Sequence, residues 1–210
     1  VGSEMCIRDS PHPVELSSPT DGRHLSAQIK GRIGEIRGVG SRTSKSPCFE
    51  TGGLEIRVDG FTQIECLDNH RVRVGSGKTL SQLLQFLRIH GLALPTIGEW
   101  DGQTVGGAIA TGTHGGSYTY GSLVSSVVEA VLIDGNGRRR RYKRGTKSFR
   151  HVLPSFGTLG IFTEFVLQCE PSFELHLKRR VFGIDQFLEH LLEPRESTEF
   201  RSAILSLIHI

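Results

Sequence analysis

The sequence predicts an α+β fold, and three observations carry that expectation. Short strand-like runs follow one another at residues 54–58, 62–67 and 71–74. Residues 79–90 (TLSQLLQFLRIH) place Leu80, Leu83, Leu84 and Leu87 at the 3, 4 and 7 spacing of one helix face. Strand-like runs then return at 127–133 and 161–168. Strands and helices mixed in this way suit sheets with helices packed on them.

Taken in order, residues 17–21 (SSPTD) offer N-cap residues for a helix over 22–30. Residues 35–39 read as a short strand entering the turn-rich GVGSRTSKSP. The strands at 62–67 and 71–74 are joined by a tight turn at Asp68, Asn69 and His70. The helix over 79–90 meets Gly91, a residue suited to a C-terminal cap. Asp134-Gly135-Asn136-Gly137 between 127–133 and 138–142 is a strong hairpin signal. After the strand at 161–168, another is expected from 173 to 181 and a helix over 184–192.

The 210 residues, 37% of them hydrophobic, provide for one medium domain and part of another. A net charge of +3 is too small to imply a polyanionic partner by itself. No apolar run approaches the roughly 20 residues needed to span a bilayer.

Both ends call for separate treatment. MCIRDS (residues 5–10) and the terminal LSLIHI (205–210) can be encoded by one DNA stretch read in opposite directions and frames. The expectation is a sequencing-adaptor remnant at residues 1–10 and 205–210. The native segment then begins near Pro11 and ends at Ile204, and the single methionine, Met5, lies in the remnant. Outside the remnant, Cys48, Cys66 and Cys169 form no C-x-x-C pair. That argues against a disulfide framework or a zinc site and makes a reducing, cytoplasmic setting the expectation.

The stretch VRVGSGKTL (residues 72–80) imitates an NTPase phosphate loop. The pattern G-x-x-x-x-G-K-[ST] requires a glycine at position 72, where Val72 stands. Only Gly75 and Ser76 separate the strand from Gly77, too few to wrap a triphosphate. Residues 130–134 (AVLID) imitate a magnesium-binding strand, but Asp134 runs straight into the hairpin sequence.

Three glycine-rich clusters are more informative. QTVGGAIATGTHGGS (103–117) lets backbone approach a planar ligand closely and supplies threonine hydroxyls. GVGSRTSKS (38–46) follows a strand and offers several N–H donors, which suits a pyrophosphate. SFGTLGI (155–161) opens a strand.

The order and spacing of these motifs, with GLALPTIGEWD before the central one, resemble the FAD-binding domain of the vanillyl-alcohol-oxidase-type flavoproteins (the PCMH-type fold). Among these the chain is most similar to the sugar-1,4-lactone oxidases and alditol oxidases. The resemblance covers residues 14–171. It implies two α+β subdomains with FAD between them over residues 11–171, and the start of a substrate domain at 172–204. It places Gly38, Val39, Gly40, Ser41, Arg42, Thr43 and Ser44 at the pyrophosphate. Thr104, Gly107, Thr111, Gly112, Thr113 and His114 would line the pyrophosphate and the flavin, and Ile161 and Phe162 would contact FAD from their strand. Glu99 is a weaker candidate.

The family also implies hydride transfer from a CH–OH carbon to flavin. A small-molecule alcohol or lactone would be the substrate, with oxygen or another electron acceptor. The alternative within the superfamily is a 2-hydroxy-acid dehydrogenase. One departure matters: many relatives carry a histidine, covalently bonded to flavin, where this chain has Thr43, and a glycine where it has Arg42. Threonine cannot form that bond, so non-covalent FAD is expected. The catalytic substrate residues belong to the region after residue 171, and none is named. The run RRRRYKR (138–144) allows a nucleic-acid-binding reading, but a charged edge strand explains it with fewer assumptions, and no nucleic-acid partner is expected.

Overall fold

The computed structural model describes residues 13, 15–117, 119–176 and 181–192. The adaptor-like ends, and residues 177–180 and 193–204, lie outside the described residues.

Strands β1 (Glu15–Ser17), β2 (Ile36–Val39) and β3 (Leu54–Arg57) form a parallel sheet in the order β1-β3-β2. Parallel strands of one sheet require crossover connections. Helix α1 (Gly22–Ile29) supplies the one between β1 and β2. It starts at Asp21, whose Oδ1 accepts the backbone N–H of Arg23 at 2.8 Å and of His24 at 2.9 Å. Leu25 and Ile29, four residues apart, share a face and pack with Leu54 and Ile56. Leu54, Glu55 and Ile56 of the central strand β3 are all buried, as expected for a strand covered on both faces.

A second sheet opens with β4 (Ile64–Cys66) and β5 (Arg71–Gly75). Helix α2 (Leu80–Ile89), strand β6 (Leu92–Ala93) and helix α3 (Val105–Ala110) follow. The chain then adds β7 (Val127–Ile133), β8 (Arg139–Lys143), the single turn α4 (Phe149–Val152) and β9 (Ile161–Gln168). The sheet is antiparallel with the order β4-β5-β9-β7-β8. Strand β10 (Glu170–Pro171) pairs with β6, and helix α5 (Ile184–Leu192) comes last.

Helix α2 is fixed at both ends. Thr79 Oγ1 accepts the Gln82 N–H and Gln82 Oε1 accepts the Thr79 N–H, each at 3.2 Å, a reciprocal capping box. Gly91 follows at φ +66°. The buried Leu80, Leu83 and Leu87 of α2 meet Val72, Val74, Phe165 and Leu167 of the sheet, with Val105 and Ile109 of α3. Ile133 and Ile161 depart from this core. They sit at the end of β7 and the start of β9 and pack with Leu25, Leu54 and Ile56 of the parallel sheet. The two sheets therefore join at that end.

The hairpin, the Asp68–His70 turn, both long helices and the final helix fall where the sequence places them. Of the strand expected from 173 to 181, residues 173–176 carry no regular structure, and residues 177–180 lie outside the described residues. Phe173 and Leu175 are 45% and 67% exposed, and among the described residues no strand pairs with theirs. Alternating side chains cannot make a strand without a partner. Helix α3 was not expected, because Gly106 and Gly107 weaken helix propensity. Packing of Val105, Ala108 and Ile109 into the core overrides that weakness.

Candidate functional site

The turn inside VRVGSGKTL spends its donors within the protein. The N–H groups of Gly75, Ser76, Gly77 and Lys78 donate to the carbonyls of Gln63, Thr163, Phe61 and Gly75, at 2.8 to 3.2 Å. A Cβ on Gly77 would lie 2.0 Å from the Val58 carbonyl oxygen, so glycine permits this close crossing. The turn joins β5 to α2 and has no free N–H cradle for a phosphate.

The loop after β2 is the reverse case. Ser41, Arg42, Thr43 and Ser44 donate no backbone hydrogen bond to other described residues. Ser41, Arg42 and Thr43 are exposed and Ser44 is half-buried. Arg42 has φ +55°, a left-handed conformation uncommon for a side-chain-bearing residue. Its guanidinium forms an ion pair with Glu55, which is only 2% exposed. The hydrogen bond it donates to Glu55 raises the Arg42 pKa above its ordinary value. Behind the loop, Ser44 Oγ accepts the Cys48 thiol at 3.3 Å.

Two other segments close on this loop. A Cβ on Gly40 would lie 2.1 Å from Thr104 Oγ1. A Cβ on Gly38 would lie 3.1 Å from Ile161 Cγ1. Thr104 caps α3, its Oγ1 accepting the Gly107 N–H at 3.2 Å. The hydroxyl proton of Thr104 is left to donate elsewhere. The fold thus brings together Gly38, Val39 and Gly40 with Thr104, Gly107 and Ile161.

The end of α3 lies farther along. The Thr111 hydroxyl donates to the Gly107 carbonyl and that of Thr113 to Gln103 Oε1, both at 2.9 Å. Gly112 has φ +69°, which only glycine adopts freely. The exposed His114 ring places Nδ1 3.1 Å from the Gly115 carbonyl, a contact in which Nδ1 carries the proton, since a carbonyl oxygen only accepts. The third glycine cluster is tied to α3 by the Phe156 N–H, which donates to the Ala110 carbonyl at 3.0 Å. The ring of Phe162 points into the core, its centroid 5.0 Å from that of Phe165. What Phe162 can present to a ligand is therefore backbone. Glu99 is exposed in the preceding turn.

Sequence reasoning missed Glu55. Its signal was an acid inside the apolar run of β3. It also missed Ser76 and Thr96, whose buried hydroxyl oxygens have no hydrogen-bond partner among the described residues. The basic run is largely answered by its own sheet. Arg140 pairs with Asp134, and Arg141 and Lys143 pair with Glu129. Arg144 donates to the Val127 carbonyl. The shallow recess beside Asp68, His90 and Pro171 contains none of the expected cofactor residues. Among the described residues no three His, Cys, Asp or Glu side chains form a metal-binding group. No helix among them is long and apolar enough to cross a membrane.

The profile of a family described as "FAD binding domain" matches residues 29–143, more than half of the 210-residue chain. The chain belongs to this family. It is 35% identical over 125 residues to an alditol oxidase of a Streptomyces species, covering 59% of this chain and 30% of that protein. It is 31% identical over 183 residues to a D-arabinono-1,4-lactone oxidase of Eremothecium gossypii, covering 83% and 34%. A variant of cholesterol oxidase from Brevibacterium sterolicum shares the fold, with a TM-score of 0.66 at 19% identity over 73% of this chain and 34% of that one. The chain spans about a third of the length of these relatives.

The cofactor of this FAD-binding domain is FAD, and the residues present fit it. A diphosphate needs several N–H donors and close backbone approach. Ser41, Arg42, Thr43 and Ser44 supply N–H groups without partners among the described residues, and the crowding at Gly40 holds their loop against Thr104.

Proposed function

We propose that this chain is the FAD-binding part of a flavin-dependent oxidoreductase acting on the CH–OH group of a sugar lactone, an alditol or a similar hydroxy compound. One observation carries the reading. The only glycine-rich turn of the two phosphate-like candidates with unspent N–H donors is the one packed against Thr104 and Ile161, in a chain of the FAD-binding family. The names of the alditol and lactone oxidases it resembles supply the substrate class.

On this reading residues 11–171 are the FAD domain and the substrate domain starts at 172. Gly38, Val39, Gly40, Ser41, Arg42, Thr43 and Ser44 bind the pyrophosphate. Thr104 supports that loop and offers its hydroxyl proton. Gly107, Thr111, Gly112, Thr113 and His114 border the flavin side, and Ile161 and Phe162 close the seam. Bound FAD would take up the hydride released when the alcohol carbon is oxidised. Thr43 has no ring nitrogen to bond the flavin, so FAD is held non-covalently. Oxygen or another carrier reoxidises it. The free cysteines Cys48, Cys66 and Cys169 fit a reducing, cytoplasmic setting.

The test uses the full-length protein containing this chain, loaded with FAD and kept anaerobic. An alditol, a sugar-1,4-lactone and a 2-hydroxy acid are added separately. Bleaching of the yellow flavin by the alditol or the lactone supports the reading. Bleaching by the 2-hydroxy acid alone, or by none of them, overturns it.

A further inference from the structure

Glu55 is the buried acid for which the cofactor reading has no use. It lies on β3, the middle strand of the parallel sheet, in register with Leu16 on β1 and Arg37 on β2. Its Oε2 meets Arg42, while its buried Oε1 has no hydrogen-bond partner among the described residues. A half-satisfied buried carboxylate is costly, and its ion pair is weak evidence for net stability. Its only described side-chain partner sits in the loop whose N–H groups donate to no described residue. That partner is also one of two residues other than glycine with positive φ among the described residues.

We infer that Glu55 is a positioning residue for the phosphate-binding loop: it anchors the Arg42 side chain from beneath and thereby holds the Arg42 backbone left-handed, so that the N–H groups of Ser41, Arg42 and Thr43 fan toward the ligand. The guanidinium is spent on Glu55 rather than on phosphate. The loop's preorganisation comes from the sheet below it. Without the anchor, residue 42 relaxes to the favoured right-handed or extended regions, and its N–H turns away. Ordering the loop then weakens ligand binding.

The inference rests on the proposal that this loop holds the FAD pyrophosphate, and the experiment separates the two. FAD affinity is measured by quenching of flavin fluorescence for the parent, Gly40→Val, and two double variants, Arg42→Ala/Glu55→Gln and Arg42→Gly/Glu55→Gln. Both double variants lack the ion pair and carry no buried charge at 55. They differ only in the freedom of residue 42 to adopt positive φ. The alanine pair is expected to bind FAD about tenfold more weakly than the parent, the cost of one left-handed residue. The glycine pair is expected within about threefold of the parent, because glycine takes that conformation without an anchor.

Equal affinity of the two double variants, whether weak or parent-like, overturns the inference. Equal weakness would mean that Arg42 acts through its guanidinium, and equal strength that the anchor is idle. A Gly40→Val protein that is folded and binds FAD like the parent overturns the underlying loop assignment instead. Should Glu55→Gln prevent folding, the single variants Arg42→Ala and Arg42→Gly, at a side chain 44% exposed, carry the same comparison with the same deciding outcomes.

Discussion

Gly40 passes so close to Thr104 that a Cβ at position 40 would stand 2.1 Å from the threonine Oγ1. One residue leaves the parallel sheet and the other caps a helix lying on the antiparallel sheet. Their contact closes the seam against which the loop after β2, the proposed phosphate-binding loop, is held. Gly40→Val must push these segments apart. An overpacking cost of about 1–3 kcal/mol converts to a roughly 5- to 150-fold loss of FAD affinity if borne by the site. Fluorescence titration with FAD, alongside a circular-dichroism check of folding, measures it. Parent-like affinity would show that the seam does not shape the site.

Lys78 gives the opposite expectation. The N–H groups around it serve β5, β9 and the chain before β4, so its loop holds no phosphate. Lys78→Ala should leave FAD affinity within about twofold, a change too small for a lost charge-assisted phosphate contact. A tenfold loss in the same titration would return the phosphate to VRVGSGKTL.

Thr79 contributes stability rather than binding. Thr79→Ala removes the hydroxyl half of the capping box and should destabilise the protein by about 1 kcal/mol. Urea unfolding should show a lower midpoint and an unchanged slope. An unchanged midpoint would mean that tertiary packing alone holds the start of α2.

Asp21 provides a pH-dependent case. Its carboxyl is held below the ordinary value of 3.8, first by the His24 N–H and then by the Arg23 N–H. A depressed folded-state pKa gives stability that is complete above the unfolded value and is lost as pH falls through the folded value. Asp21→Asn keeps a capping oxygen and removes that titration. The parent's urea midpoint should therefore fall more steeply than the variant's as pH drops below 3.8. Superimposable acid limbs would exclude a charged cap at α1.

The fold was legible wherever pattern and local chemistry agreed. The leucines of α2, its Thr79 start, the Asp134–Gly137 turn and the apolar β9 each carry their own signal. Helix α3 was hidden because its glycines argue locally against a helix and only core packing favours one. Residues 173–176 are irregular where a strand was expected, because a strand-like run says nothing about an available partner. In the candidate site, Val72 and the short turn argued against a phosphate loop at 72–80, and the cluster at 38–46 gained meaning only from its order and spacing with the other two. The Arg42–Glu55 pair did not. It joins a loop to a strand through tertiary contact, and an isolated glutamate in an apolar run does not reveal its partner.

The central claim is that this chain holds one FAD non-covalently through the loop after β2. The most direct measurement is titration of the purified protein with FAD, followed by acid precipitation of the complex. The account predicts saturation at one FAD per chain and flavin recovered in the supernatant. A protein that takes up no FAD would contradict the cofactor assignment, and flavin retained in the precipitate would contradict non-covalent attachment.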